Sequence, residues 1–226
     1  MSGINIGSAI KRETMHEAAY RQLKTAILSN QLSTGVYYTE NEFADALNIS
    51  RTPIRGAIKD LIHDDLLVSV PRKGLKVREF TQSEVEQIFL LRKAIEGEVI
   101  GKLLEMVTDE HVFALETLVT KQKHMIEAGD DISFIDLDLE FHQAIIRFAN
   151  YGLIENMIAK LYNLTRLIGH KAIMKEGRME EVIDEHREII EAVRNKDGAR
   201  SKQLMVQHLE NTQRSFRWIH DQSEVI

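Results

Sequence analysis

The sequence predicts a mainly α-helical protein, in which three helices and a β-hairpin are followed by an all-α bundle of six antiparallel helices. Three observations support this prediction. Apolar residues recur at helical spacing through most of the 226-residue chain. Strand-like alternation is confined to a short segment around residues 66–78. Both prolines, Pro53 and Pro71, fall in the first third, so the remainder can form long uninterrupted helices.

The composition is that of a soluble globular protein, with 43% hydrophobic and 28% charged residues. Cysteine is absent, which excludes disulfides, thiolate metal sites and a cysteine nucleophile. No apolar run approaches the roughly 20 residues of a membrane span, and the N-terminus lacks the apolar core of a secretory signal. We therefore expect a cytoplasmic protein with no membrane partner.

The net charge of −6 is unevenly distributed along the chain. Residues 1–80 carry +2, whereas residues 81–226 carry −8. This difference predicts two domains with different partners, and the negative total argues against unspecific binding to nucleic acids. We expect a disordered arm over 1–12, a first domain over 13–79 and a second domain over 80–226.

The spacing of apolar residues predicts three helices in the first domain, over residues 16–29, 40–47 and 51–63. The second of these begins with a capping box, in which the Thr39 hydroxyl accepts from the Glu42 amide while the Glu42 carboxylate reaches back. Ser50 is a favourable N-cap residue for the third helix.

The pattern changes from helical to strand-like after the third helix. Residues 66–70 and 75–78 predict two strands, and the sequence P-R-K-G at 71–74 predicts the turn between them. Three helices and a hairpin within about 65 residues are typical of a winged helix-turn-helix.

The second domain is expected to contain helices alone. Its first helix opens with another capping box, formed by Thr81 and Glu84, and runs to about Met106. Helical spacing and glycines set the predicted bounds of the other five, which are 109–127, 132–149, 152–174, 179–195 and 198–220.

The N-terminal end of the third helix indicates DNA binding. In a helix-turn-helix, this end of the recognition helix enters the major groove, where arginine can form two hydrogen bonds to guanine and hydroxyls can donate to phosphates. The candidate DNA-binding residues are Ser50, Arg51, Thr52 and Arg55, with Arg72, Lys73 and Gly74 at the basic hairpin tip. The alternative interpretation is that these are simply solvated basic residues on a small helical domain.

Four polar residues in the second domain lie where apolar residues would be expected. Asp138 and His142 are four residues apart on an apolar helical stripe, so their side chains share one face. His186 also points inward, and His208 lies on the last helix. One carboxylate and three imidazoles from three helices could converge on a divalent ion such as zinc, nickel, manganese or iron. The alternatives are a helical Asp–His hydrogen bond, a satisfied core histidine at 186 and a solvated histidine at 208.

Arg92 shares an apolar stripe that points its guanidinium towards the bundle interior. A buried guanidinium requires a carboxylate, which could belong to an acidic effector or to Glu96, four residues further along the helix. Arg166 and His170 are further candidates for the lining of an effector cavity.

The sequence S-R-T-P-I-R at 50–55, followed by the P-R-K-G wing at 71–74, resembles the N-terminal domain of GntR-type bacterial transcription regulators. The resemblance implies that Arg51, Thr52 and Arg55 touch the operator and that the wing around Lys73 and Gly74 assists.

Three positions depart from the pattern of this family. Gly56 stands where a glutamate is usual, and Asp65 replaces the usual glycine after the recognition helix. Asn41 occupies a position that is a DNA-contacting arginine in some relatives, so the operator sequence cannot be transferred.

Three short motifs of the second domain, D-L-E-F-H-Q-A-I at 138–145, D-E-H-R-E-I-I-E-A-V at 184–193 and M-V-Q-H-L at 205–209, resemble the FCD effector domain of FadR-like regulators. The six-helix length is similar to that of the VanR-type subgroup. The resemblance implies that Asp138, His142, His186 and His208 bind a divalent metal, with zinc the expected ion. It also implies that a small carboxylate effector completes the coordination sphere.

We therefore expect a metabolite-responsive transcription regulator, most simply a repressor, and not an enzyme. One module buries too little surface for a strong operator, so a homodimer on palindromic double-stranded DNA is expected. Two alternatives remain open at this point: a metal-dependent hydrolase that uses the Asp/His₃ site, and a regulator that senses the metal itself.

Overall fold

The computed structural model describes residues 13–173 and 175–223, and the arm expected over 1–12 lies outside these residues. The chain divides into two compact units at the boundary between Arg78 and Glu79. Within the described residues, nine helices and one two-stranded antiparallel sheet are formed. This architecture confirms the predicted fold class, a winged helix-turn-helix followed by a helical bundle.

The first unit has a core formed mainly by its first and third helices. Its elements are α1 (Met15–Leu28), α2 (Glu40–Leu47), α3 (Arg51–His63), β1 (Leu67–Val70) and β2 (Gly74–Val77). Leu23 and Ile27 of α1 are buried, as are Ile54 and Leu61 of α3. Burial of each such side chain contributes about 1.5–3 kcal/mol, which is why helices of 8–14 residues are stable here.

The helix starts follow the sequence closely. The capping boxes of Thr39 with Glu42 and of Thr81 with Glu84 are confirmed, and Thr14 and Thr108 form two more that were not predicted. Ser50 is the N-cap residue of α3 by position, but its side chain makes no capping hydrogen bond. The exposed Ser50 hydroxyl is therefore not committed to the helix end.

The wing is anchored to the segment that precedes α2. Tyr38, which lies just before α2, exchanges two backbone hydrogen bonds with Leu75, at N···O distances of 2.7 and 2.8 Å. Gly74 makes this approach possible, because a Cβ atom there would lie 2.5 Å from the Tyr38 carbonyl oxygen. The φ angle of +114° at Gly74 is also one that L-residues rarely adopt.

Two of the positions that depart from the GntR pattern have a physical explanation. Gly56 packs against α1, where a Cβ atom would approach the His16 ring to 3.0 Å. The His16 ring also lies over Asp60, with its Nε2 atom 2.8 Å from the carboxylate. Asp65 has a φ of +60°, a left-handed conformation that aspartate tolerates better than most non-glycine residues, and its carboxylate pairs with Arg78.

The second unit consists of six helices around one core. They are α4 (Gln82–Leu103), α5 (Asp109–Ala128), α6 (Asp131–Phe148), α7 (Gly152–Ala172), α8 (Arg178–Arg194) and α9 (Gly198–Ser223). The first of them, α4, ends three residues before the predicted Met106, because residues 104–106 tighten into a turn with i to i−3 hydrogen bonds. None of the helices in the described part of the chain has the length and hydropathy that crossing a membrane would require.

Candidate functional site

Four side chains that the sequence singled out meet in the interior of the bundle. Asp138 and His142 come from α6, His186 from α8 and His208 from α9. One ligand atom of each lies within 4.8 Å of the others. The three histidines are buried, whereas the Asp138 side chain is 19% exposed.

The Nε2 atoms of the three imidazoles point to a common centre. The Nε2 atoms of His142 and His208 are 3.1 Å apart. The Asp138 carboxylate lies 3.5 Å from Nε2 of His186 and 3.9 Å from Nε2 of His142. The cluster thus presents three nitrogens and one carboxylate group to the same small volume.

The opposite nitrogen of each imidazole lies next to an acceptor oxygen. Nδ1 of His142 is 2.6 Å from Glu96, Nδ1 of His208 is 2.7 Å from Glu185, and Nδ1 of His186 is 3.0 Å from the Gln122 side-chain oxygen. In a neutral imidazole, a proton placed on Nδ1 leaves Nε2 as a bare lone pair.

This arrangement fits a divalent metal. With all three protons on Nδ1, three lone pairs would face and repel one another, and Nε2 of His186 is buried with no hydrogen-bond partner among the described residues. A cation at the common centre would satisfy all three nitrogens together with the Asp138 carboxylate. Histidine ligands whose second nitrogen donates to a carboxylate or carbonyl oxygen are the usual pattern in metal sites.

Two of the histidines are held in the neutral form that metal ligands require. Burial lowers the pKa of His186 well below its usual range, and the neighbouring imidazoles of His208 and His142 lower it further. Burial also lowers the pKa of His208, although the adjacent Glu185 carboxylate partly opposes it.

The two outer carboxylates are held in the ionised form. Burial alone would raise the pKa of Glu96, but the guanidinium of Arg92 and the imidazole of His142 outweigh it and lower the pKa to about 2. The pKa of Glu185 is likewise about 2, because His208 and Arg178 outweigh the effect of burial. Each carboxylate therefore connects one histidine of the cluster to one arginine.

A partly enclosed cavity adjoins the cluster. About 30 Å³ of it can be reached by the centre of a water molecule. Asp138, Arg92 and Arg178 all lie on its wall, so one residue belongs both to the cluster and to the cavity. The rest of the wall is mostly apolar: Phe89, Phe134, Ile135, Leu139, Thr165, Ile168, Gly169, Ala172, Ile173, Val182 and Thr212. We call this space the bundle cavity.

The three predicted effector-binding residues have different surroundings. Arg92 is buried and lines the bundle cavity, with Nε 2.7 Å and Nη2 3.3 Å from the two oxygens of Glu96. Arg166 pairs with Asp136 and lines a separate depression with Tyr162. Neither Arg166 nor His170 is among the described residues on the wall of the bundle cavity.

Several site residues were missed or underrated from the sequence. Gln122 was detectable in principle, because it continues the buried stripe of Val112, Leu115 and Val119 on α5. Glu185 adjoins His186, but no feature of the sequence pattern marked it as a site residue. Arg178 was not marked either, because its burial results from the packing of the first turn of α8 against α9.

The N-terminal end of α3 is accessible in the first unit. Ser50, Arg51, Thr52 and Arg55 are all exposed. Arg51 Nη1 lies 3.4 Å from the Asn41 side-chain oxygen, and Arg55 Nε donates to Glu40 at 2.7 Å. These exposed pairs are weak, so both guanidiniums can exchange their partners for bases or phosphates at little cost.

The predicted wing tip is also accessible. Arg72 and Lys73 are exposed, and Arg72 has a positive φ of 66°. Lys73 Nζ lies 5.4 Å from the centre of the Tyr37 ring, a cation–π distance. The tip therefore presents two basic side chains beside an exposed aromatic ring.

Comparison with known proteins identifies both units. Residues 15–77 match the family of bacterial regulatory proteins known as the gntR family, and residues 87–211 match the FCD domain. The gntR family and the relatives described next are transcription regulators, which confirms the prediction that the chain is not an enzyme.

Individual relatives agree with this assignment. The transcriptional repressor RspR of Escherichia coli K12 is 26% identical over 93% of this chain and 92% of its own. The gluconate operon transcriptional repressor of Bacillus licheniformis is 28% identical over 78% of this chain and 74% of its own. The solved structure of E. coli McbR/YncC has the same fold, with a TM-score of 0.76 and 21% identity over 93% of this chain and 99% of that protein. The chain thus belongs to the GntR family, as a DNA-binding transcription regulator of the FadR-like branch with a C-terminal FCD domain.

Proposed function

We propose that this protein is a metabolite-responsive repressor that binds a palindromic operator as a homodimer in the bacterial cytoplasm. Its FCD domain holds a divalent metal through Asp138, His142, His186 and His208. A small carboxylate binds beside the metal and changes the affinity for the operator.

The convergence of four ligand atoms within 4.8 Å carries the metal part of this proposal. Three nitrogens and one carboxylate form a borderline ligand set, for which zinc is the expected ion and nickel, manganese and iron are the competitors. When bound, the ion supplies a positive charge that attracts a carboxylate. The protein supplies the orientation of the ligands through Glu96, Glu185 and Gln122.

The exposed end of α3 supports the DNA-reading part. Arg51 and Arg55 are assigned to base edges, and Ser50 and Thr52 to phosphates. Arg72, Lys73 and Gly74 of the wing are assigned to the backbone or the minor groove beside the recognition helix.

Exposed apolar side chains on two neighbouring helices support a homodimer. Leu90 and Leu91 on α4 are 64% and 52% exposed, and Leu153 and Met157 on α7 are 76% and 73% exposed. Each of these helices thus exposes apolar side chains of the kind that a second copy would cover.

The effector and the sign of regulation are supported by the cavity and by the relatives. The bundle cavity adjoins Asp138, so a ligand inside it would reach the metal. Two of the relatives are named repressors, and one is named for the gluconate operon, which supports repression that a metabolite relieves.

A binding experiment tests the DNA-reading part. DNA fragments are selected by the full-length protein from a random pool, and affinity is measured by fluorescence anisotropy. Arg51→Ala and Arg55→Ala should each weaken binding by about 1–3 kcal/mol. Arg21→Ala, which removes an exposed arginine from α1, should leave it unchanged. Unchanged affinity in both α3 variants would contradict the assigned recognition helix.

Native mass spectrometry of protein purified without chelator tests the sensor part. We expect a dimer that carries one divalent ion per chain, and loss of the ion in Asp138→Asn. If operator affinity then follows metal concentration with no organic acid present, the metal itself is the signal and the effector part of the proposal fails.

A further inference from the structure

We infer that the effector is a short monocarboxylate with a hydrocarbon body, that Arg178 anchors it, and that Glu185 transmits its binding to His208. This inference rests on the proposed metal and effector function. It concerns the chemical class of the effector and the path by which binding is sensed.

Arg178 is a buried guanidinium with an unused donor. It is 1% exposed and lies on the wall of the bundle cavity. Its two terminal nitrogens donate to Glu185 at 2.8 Å each, and also to Glu181 and Thr212. Its Nε atom is buried and has no hydrogen-bond partner among the described residues. A carboxylate in the cavity would supply the acceptor that Nε lacks.

The charges around the cluster favour a ligand with a single negative charge. Arg92 offsets Glu96, and Arg178 offsets Glu185, because each pair is in direct contact. Asp138 is then the one uncompensated carboxylate of the cluster, so a bound divalent ion leaves a single positive charge. One carboxylate neutralises this charge, whereas a dicarboxylate leaves an excess negative charge in a buried site.

The wall of the cavity selects against hydroxyl-rich ligands. Its two hydroxyls are already engaged: Thr165 donates to the Leu161 carbonyl oxygen at 2.9 Å, and Thr212 donates to the His208 carbonyl oxygen at 3.1 Å while accepting from Arg178. A sugar acid would lose the hydration of its hydroxyls against an apolar wall. The small volume limits the body to a few carbons.

A continuous chain of contacts joins Arg178 to the metal cluster. Glu185 accepts from Arg178 with both oxygens, and one of these oxygens also lies 2.7 Å from Nδ1 of His208. Asn211 donates to the other oxygen at 2.6 Å. A ligand that engages Nε of Arg178 is therefore linked to His208 through Glu185, and we expect the affinities for metal and ligand to depend on each other.

Calorimetric titration of the zinc-loaded, full-length protein tests the ligand class. The probes are isobutyrate, its neutral isostere isobutyramide, the dianion succinate and the hydroxyl-rich gluconate. The affinity for isobutyrate should be at least about tenfold higher than the affinity for each of the other three. Isobutyramide lacks the negative charge, and succinate and gluconate add groups that the site cannot pair. Comparable binding of isobutyramide, or tighter binding of succinate or gluconate, would overturn the inference. These arms use the unmutated protein and do not depend on the folding of a variant.

Arg178→Lys tests the anchor, with Arg187→Lys on the same helix as the matched control because Arg187 is exposed and contacts only Asp184 among the described pairs. Isobutyrate affinity should fall by about tenfold or more in Arg178→Lys alone, since lysine cannot replace a planar guanidinium. Isobutyrate should also change zinc affinity by about fivefold or more in the unmutated protein, and by less in Arg178→Lys. Equal effects in the two variants contradict the anchor. Absence of zinc binding would instead refute the proposed function itself.

Discussion

The Nε2 atoms of His142 and His208 lie 3.1 Å apart although 66 residues separate them in the chain. The two imidazoles are held there by Glu96 and Glu185, which lie on α4 and α8. The two carboxylates are in turn fixed by buried arginines on the same helices. The cluster is therefore positioned by ion pairs that exist without a metal, and its geometry is pre-organised for one.

Removal of a ligand should abolish tight metal binding. In His208→Ala, we expect zinc affinity to fall by more than the roughly 10–100-fold that is typical of lost outer partners, because one of four direct ligands is gone. His124→Ala is the control, since His124 is exposed on α5. Competition with a chelating dye measures both variants. Equal zinc affinity of the two would show that the cluster does not bind the ion.

Glu96→Gln should weaken zinc binding although Glu96 is not itself one of the four proposed ligands. We expect zinc affinity to fall by about 10–100-fold, because His142 loses the carboxylate that orients it. The metal-free protein should also lose about 3–5 kcal/mol of unfolding free energy, since buried Arg92 loses its counter-charge. Glu98→Gln on the same helix is the control, because its side chain is 72% exposed. Dye competition and urea denaturation give the two readouts, and identical behaviour of the two variants would disprove the role of Glu96.

Gly74→Ala should disrupt the wing more than a change at another left-handed glycine. In Gly35→Ala, where no atom lies within 4 Å of the added Cβ, only the backbone cost of about 1–2 kcal/mol is expected. Gly74→Ala adds a clash with the Tyr38 carbonyl, so this variant should lose more unfolding free energy than Gly35→Ala. The operator affinity of Gly74→Ala should also fall. Chemical denaturation and anisotropy measure these effects, and equal losses in the two variants would contradict the tight wing packing.

Lys196→Gly should stabilise the second unit. Lys196 is exposed and has a φ of +54° just after α8, where glycine is the favoured residue. Relief of the left-handed strain should add about 1 kcal/mol to the unfolding free energy. The same substitution at exposed Lys121, inside α5, should instead cost about 1 kcal/mol. Thermal or urea unfolding distinguishes the two, and a loss of stability in Lys196→Gly would refute the argument.

Sequence patterns predicted the parts of the molecule that depend on local periodicity. Helix bounds agreed to within three residues at every end, because caps and apolar spacing act within a few residues. His142 and His186 could be recognised from the sequence because polar residues on an apolar stripe must meet a partner, whereas His208 has a weaker apolar face and was indicated mainly by the resemblance to the FCD motif. Arg178 could not be identified as a site residue, because no neighbouring residue in the sequence indicates that the start of α8 lines the bundle cavity. Arg166 has the same residue type but pairs with Asp136 outside that cavity.

Exchange of recognition helices between relatives is constrained by the contact of Gly56 with the His16 ring. A transplanted helix with glutamate at position 56, as GntR-type sequences usually have, would press its side chain against this imidazole, which is 41% exposed and would have to move aside. A graft intended to retarget this regulator to a foreign operator should therefore carry α1 together with α3, so that the residues at positions 16 and 56 stay matched.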